Sequence, residues 1–182
     1  MRVIAGTARS LPLKTIEGLD TRPTTDRIKE TLFNMLTGYI PDAKFLDLFA
    51  GSGGIGIEAL SRGAKDCTFI ELNPKAIACI EDNVTFTHFK DNSRILKADA
   101  VSYVSGLKTV DYDVIFMDPP YGKGLERQVL SVLKEKNFTE DTLIIVEAAL
   151  DEDFSYVNDL GYDIIKDKRY KSNKHIFFKK RE

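Results

Sequence analysis

Asp118, Pro119, Pro120 and Tyr121 follow a short apolar run, Val114-Ile115-Phe116-Met117, and bring together a carboxylate, stiffened backbone carbonyls and an aromatic face. Two successive prolines remove two backbone N–H donors and stiffen the turn, so the carbonyls there meet few competing donors. A carboxylate beside a fixed carbonyl makes two acceptors, matching the two protons of a planar NH2 group. Tyr121 offers a face on which a flat base stacks, an interaction worth about 1–3 kcal/mol. The chemistry this suits is attack by an exocyclic amine. Such a nitrogen is a poor nucleophile because its lone pair is delocalised into the ring. Holding both N–H bonds turns the lone pair towards an electrophile. The same acceptors stabilise the positive charge that grows on nitrogen as a methyl group arrives.

A second cluster lies upstream. The stretch KFLDLFAGSGGIGIEAL, residues 44–60, runs from an apolar strand pattern through Gly51, Gly53 and Gly56 into a helical one. That spacing fits G-x-G-x-x-G, in which glycines permit a tight turn and close approach of a ligand to backbone, ahead of a helix N-terminus. Alone, the motif suits a dinucleotide and other adenosine ligands equally. A P-loop is excluded, because no Gly-Lys-Ser/Thr follows. Glu71 lies twenty residues after Gly51 at the end of the next strand pattern, where an acid accepts hydrogen bonds from ribose hydroxyls. Asp99 ends the strand pattern after that. Two readings stay open for it: contact with an adenine amino group, or capping of the helix that follows.

These residues need a frame that puts strand ends side by side. From residue 44 onward, strand and helix patterns alternate. Strands are expected at 44–48, 67–71, 94–97, 113–118, 142–147, 163–168 and 175–179, and helices at 54–62, 74–86, 100–106, 124–136 and, weakly, 151–160. Asn73 before Pro74 is a favoured helix start. Ile28, Leu32, Met35, Leu36 and Tyr39 predict a further helix that Pro41 stops. The central strands are continuous apolar runs, as in a parallel sheet buried on both faces. The expected fold is α/β: a doubly wound, Rossmann-like, mostly parallel sheet. An antiparallel C-terminal hairpin and a small N-terminal β-hairpin (strands 2–5 and 11–16) complete it.

The chain has 182 residues, 26 Lys and Arg, 28 Asp and Glu, and a formal net charge of -2, which excludes a uniformly basic protein but not nucleic acid. The charge is segregated. Residues 162–182 carry eight bases against three acids, and residues 1–29 six against three. A basic C-terminus reads either as a lysine-protected edge strand or as a phosphate-binding surface. Cys67 and Cys79 read as a reduced pair without metal spacing, and His88 and His175 form no cluster, so no metal site is expected. No apolar run approaches the roughly 18 residues of a membrane span, and MRVIAGTARS lacks a signal-peptide core. A cytoplasmic protein is expected.

Together these residues resemble the class I S-adenosylmethionine-dependent methyltransferases that carry an (N/D)PP(Y/F) amine-methylating motif. Arg22-Pro23-Thr24-Thr25-Asp26-Arg27 before IKETLFNML, with MRVIAG, DLFAGSGGIGIEALSRGA, ELNPKA and DPPYGKG, is similar to the RsmD-type 16S rRNA guanine-N2 methyltransferases over most of the chain. The resemblance implies two parts, an N-terminal β-hairpin extension at 1–21 and a methyltransferase domain at 22–182. It implies that Phe49, Ala50, Gly51, Ser52, Gly53 and Gly56 hold the methionine part of S-adenosyl-L-methionine, with Asp47 near its amino group. Glu71 and Leu72 would lie at the ribose, and Asp99 and Ala100 beside adenine. Asp118, Pro119, Pro120 and Tyr121 would receive the target guanine, and Arg22 and Thr24 would close over both. Arg2, Arg9, Lys14, Lys171 and Lys174 would hold RNA phosphates. The implied partner is 16S rRNA or a small-subunit assembly intermediate, met by a monomer.

Two stretches depart from the family pattern. The N-terminal turn, Ala8-Arg9-Ser10, is less basic than usual. The C-terminal turn reads Tyr170-Lys171-Ser172-Asn173-Lys174 in place of a Tyr-Gly pair, which moves expected RNA contact towards that end. DNA adenine and protein glutamine are planar amines too, so DPPY alone admits them. A nicotinamide enzyme would explain the glycines but not DPPY. A non-catalytic RNA-binding assembly factor is the rival from another class.

Overall fold

Strand and helix alternate through a computed structural model that describes residues 1–18 and 24–182. The helices are α1 Asp26–Met35, α2 Gly54–Ser61, α3 Pro74–Phe86, α4 Ala100–Gly106 and α5 Leu125–Leu133. The strands are β1 Lys44–Leu48, β2 Asp66–Glu71, β3 Ser93–Lys97, β4 Thr109–Val110, β5 Val114–Met117, β6 Asn137–Phe138, β7 Leu143–Ala149, β8 Tyr162–Arg169 and β9 Asn173–Lys180. Among the described residues, one sheet of seven strands runs in the order β3-β2-β1-β5-β7-β9-β8, and β4 and β6 pair separately. The first five strands of that order are parallel, while β9 and β8 are antiparallel additions. This is the doubly wound α/β fold.

Side chains alternate across the sheet. Phe45, Phe69, Phe116, Ile145 and Phe177 enter one buried cluster. Their neighbours Leu46, Ile70, Ile115, Ile144 and Phe178 enter the other. Both faces of the central strands are therefore covered, which is why they read as largely apolar runs, β5 wholly so. Each buried large side chain contributes about 1.5–3 kcal/mol. Asn73 Oδ1 accepts from the N–H groups of Lys75 and Ala76 at 2.9 and 3.4 Å, and Pro74 opens α3 as expected.

Two expectations are corrected. The weak helix at 151–160 is only a 3-10 turn at Ser155–Val157. Asp153 there accepts from the Ser155 N–H and hydroxyl at 3.0 and 2.6 Å, and such local bonds compete with a helix. The N-terminal strands shrink to one antiparallel bridge, Arg2 to Pro12, with the Val3 N–H on the Leu11 carbonyl and the Leu13 N–H on that of Met1.

That N-terminal segment is fastened to α2. The buried Glu58 carboxylate accepts from the Ile4 and Ala5 N–H groups at 2.9 and 3.1 Å and from Arg62 Nε at 2.9 Å, with Lys29 Nζ at 3.6 Å. Lys29 is fully buried and also donates to the Arg2 carbonyl. Gly6, at φ +87°, passes so close that a Cβ would lie 1.8 Å from the Ser61 carbonyl oxygen. Val3, Ala8 and Leu13 join the same core as Phe45 and Phe69. Glu58→Ala leaves the Lys29 ammonium buried without its carboxylate, and should cost about 3–5 kcal/mol in denaturant unfolding. A loss below about 1 kcal/mol, as for an exposed pair, would contradict this account of the anchor.

Candidate active site

Parallel register lines up the carboxyl ends of the central strands. Leu48 pairs with Ile70 and with Met117, and Met117 pairs with Val146. One step further along, Phe49, Glu71, Asp118 and Glu147 stand in a row. Open α/β sheets place ligands at such a row, beside the strand where connections change direction, here between β1 and β5.

The glycine loop follows β1. Phe49 has φ +60° and Gly51 φ +58°. The three motif glycines do different work. A Cβ on Gly56 would lie 2.3 Å from the Phe69 ring and 2.6 Å from Cys67 Sγ, so its absence lets α2 pack on the sheet. Gly53 has φ +83°, and a Cβ there would lie 3.3 Å from Ile80. Gly51 faces open space within 4 Å of where a Cβ would sit, and so leaves room for a ligand against backbone. Glu71 braces this loop: Oε2 accepts from the Gly51 N–H at 2.7 Å, and Oε1 from Leu72 and Asn73 at 2.8 and 3.0 Å. A carboxylate offers about four acceptor positions, so one on Oε2 is spare. Leu72 itself is exposed. Asn83 Nδ2 donates to the carbonyls of Ser52 and Lys14 at 3.0 Å, joining the loop to the N-terminal segment.

Asp47 lies beneath the loop, buried, with Oδ2 on the Gly56 N–H at 3.0 Å. Burial is the main cause that pushes its carboxyl up to about 8, with Glu71 adding and the Gly56 bond opposing. Asp99 caps α4, Oδ1 accepting from the Ser102 N–H at 2.9 Å, and Ala100 beside it is buried. The capping reading of Asp99 is thus realised.

Asp118 sits at the end of β5. Burial first, then the Glu147 and Asp47 charges, push its carboxyl well above the ordinary range. Pro119 is buried, and Pro120 and Tyr121 are exposed. Thr24 is half-buried just before Thr25, whose Oγ1 caps α1. Arg22 lies outside the described residues. Arg9 and Lys171 are exposed. Arg2 and Lys14 make exposed ion pairs with Asp26 and Asp82 at 2.9 and 2.8 Å. Lys174 corrects an expectation: it is buried, and Nζ donates to the Glu152 carbonyl at 2.6 Å, so it does not stand free for phosphate.

Sequence reasoning did not single out Glu147, His175, Tyr170 and Asn173, which lie behind Asp118. Glu147 is the last residue of the strand expected at 142–147 and lies in β7 at the same level as Glu71 and Asp118, and that spacing was the available signal. Among the described residues, no three His, Cys, Asp or Glu side chains form a metal-holding group, and no helix is long and apolar enough to cross a membrane.

Known proteins resemble this chain in sequence and fold. The family model described as conserved hypothetical protein 95 matches residues 1–179. Ribosomal RNA small subunit methyltransferase D of Haemophilus influenzae is 40% identical over 157 residues, 84% of this chain and 80% of that protein. The Escherichia coli K12 protein of the same name is 38% identical over 154 residues, 83% and 76% of the two chains. Among solved structures, yhhF of Escherichia coli superposes with a TM-score of 0.87 at 33% identity, over 100% of this chain and 98% of that one. SMU.776, solved in complex with SAH, shares the fold at 16% identity, with a TM-score of 0.69 over 83% of this chain and 49% of that one.

The raised Asp47 carboxyl makes a signed prediction. A carboxyl that holds its proton more tightly when folded favours folding at low pH. This advantage fades as pH rises from its unfolded value near 4 to about 8. Asp47→Asn retains an acceptor for the Gly56 N–H and removes the charge. The ligand-free variant should gain at least about 1 kcal/mol on the parent between pH 5 and pH 8. A stability difference independent of pH would contradict the burial of this group.

Proposed function

Because this chain belongs to the conserved hypothetical protein 95 family, we propose that it methylates the exocyclic N2 amine of a guanine in 16S rRNA, with S-adenosyl-L-methionine as methyl donor. It is a methyltransferase. The observation that carries the substrate reading is the single row holding the Glu71-braced glycine loop and the Asp118 turn side by side, in a chain 38–40% identical to ribosomal RNA small subunit methyltransferases.

The residues suit the donor. Gly51 leaves open space, and Glu71 Oε2, bonded to the Gly51 N–H, keeps one acceptor position spare. Phe49, Ala50, Ser52, Gly53 and Gly56 shape the cradle for the methionine part. Asp47 meets its ammonium group, and an opposite charge nearby restores the ionised form that burial disfavours. Glu71 and Leu72 take the ribose, and Asp99 and Ala100 the adenine. Bound S-adenosylmethionine supplies an electrophilic methyl group on a sulfonium.

The target guanine leaves its stack, at a cost of a few kcal/mol, and lies against Tyr121. Asp118 and the Pro119 carbonyl hold the two N2 protons and aim the lone pair. As the methyl group is transferred, these acceptors stabilise the growing positive charge, and the surplus N2 proton then departs to Asp118 or to water. The segment 1–21 serves as an extension of the domain 22–182, and Thr24, with Arg22 on the same reading, contributes contacts to the bound donor and target. Arg2, Arg9, Lys14 and Lys171 contact phosphates. The proposed setting is a cytoplasmic monomer acting on rRNA within a small-subunit assembly intermediate.

Asp118→Ala should lower methyl incorporation into small-subunit rRNA about 100-fold or more. Calorimetric affinity for S-adenosylmethionine should change by less than about threefold. Undiminished transfer, or digestion products carrying methyladenine instead of N2-methylguanine, would overturn the assignment. Binding to rRNA should weaken steeply between 50 and 200 mM salt, by about 10³-fold if six phosphates are held. An affinity insensitive to salt would remove the phosphate contacts from the account.

A further inference from the structure

Behind Asp118 a buried chain of polar groups runs inward from the C-terminal hairpin. Glu147 on β7 stands opposite His175 on β9 in the antiparallel pair. His175 is wholly buried, with Nε2 3.1 Å from Glu147 Oε2 and Nδ1 3.0 Å from the Tyr170 hydroxyl. Asn173 Nδ2 donates to the other carboxylate oxygen at 2.9 Å. The Glu147 carboxylate thus has a side-chain partner on each oxygen, and the imidazole links it to the Tyr170 hydroxyl through its second ring nitrogen. The Tyr170 ring and the Phe116 ring meet the imidazole edge-on, at 5.1 and 6.0 Å between centroids, and fix its plane.

This construction has no evident use as packing. A buried carboxylate and a buried imidazole are costly compared with apolar residues of similar volume. Its position supplies a use. Met117 pairs with Val146, so Asp118 and Glu147 are the next residues along adjacent parallel strands. We propose that Glu147, clamped by Asn173 and His175 with Tyr170 behind, is a positioning residue that acts through Asp118 and sets the charge with which it meets the target amine. This rests on the reading of Asp118 as the amine acceptor. The charge of Glu147 acts directly on Asp118 and raises its carboxyl, after burial and ahead of Asp47.

The titratable and charged groups around the pair are few. Asp118 is faced by Asp47 from β1, Glu147 from β7 and Tyr121 of its own turn. Glu147 is faced by His175 from β9, with Tyr170 beyond it, and by Asp118 and Tyr121. Glu152 acts on Tyr121 from further out. Loss of the Glu147 charge therefore makes Asp118 easier to ionise.

The test is the pH profile of kcat for methylation of unmethylated small subunits by the full chain, in the parent, Glu147→Gln and Tyr170→Phe. Glu147→Gln should move the acid limb at least about one pH unit lower and reduce the plateau about tenfold, because a more readily ionised Asp118 is a weaker acceptor for the amine protons. Tyr170→Phe, a milder change at the half-buried end of the chain, should lower kcat about threefold while KM for S-adenosylmethionine stays within about twofold. A merely structural role would lower the melting temperature and leave kcat and the acid limb of the folded variants unchanged, and that result would overturn the proposal. Asp118→Ala separates the two claims. If it abolishes transfer while both other variants keep the parent profile, the positioning role fails alone. If it leaves transfer intact, the reading of Asp118 fails, and the positioning role with it.

Discussion

The arrangement depends on the register of four parallel strands. Hydrogen bonds between β2, β1, β5 and β7 put Ile70, Leu48, Met117 and Val146 at one level. The next residue on each strand is Glu71, Phe49, Asp118 or Glu147. Because side chains alternate every residue, a slip of one position would turn these groups to the opposite face of the sheet. The apolar pattern prevents such a slip, since it would also exchange the members of the two cores. The buried interior thus sets the geometry of the polar rim.

That rim concentrates carboxyl groups where water is scarce. Asp47, Asp118 and Glu147 all sit at or beneath the strand ends, and burial pushes the first two carboxyls upward. Hydrogen bonds make this tolerable: the Gly56 N–H on Asp47, three N–H groups on Glu71, and Asn173 and His175 on Glu147. Such a site is suited to a cationic partner on one side and to a nitrogen gaining positive charge on the other. The same logic explains the uneven charge of the chain. The site is acidic, and exposed bases such as Arg9 and Lys171 lie in the N-terminal segment and the C-terminal hairpin.

Much of this was legible in the sequence. The run at β5 is wholly apolar, and those at β1 and β7 are broken only by Asp47 and Glu147, so all three were readable as buried strands, and Asn73-Pro74 marked the start of α3. The glycine loop, Glu71 and DPPY were readable because their chemistry is local to a few adjacent residues. Tertiary relations were less legible. Lys174 looked like a surface cation, yet antiparallel pairing of β9 with β7 turns its stem inward, where its ammonium meets the Glu152 carbonyl. His175 looked isolated because its partners lie 5 and 28 residues away. The anchoring of the N-terminal segment on Glu58 was invisible for the same reason: the carboxylate is 53 and 54 residues from the amides it holds.

The central claim is that one row of strand ends divides the work, with Glu71 and the Gly51 loop holding the donor and Asp118 facing the reacting methyl group. A crystal structure of the full chain with S-adenosylhomocysteine tests it most directly. The account predicts ribose hydroxyls within about 3 Å of Glu71 Oε2, the amino group beside Asp47, and the sulfur opening towards Asp118 and Tyr121. A nucleoside bound elsewhere, or a sulfur turned away from Asp118, would contradict it.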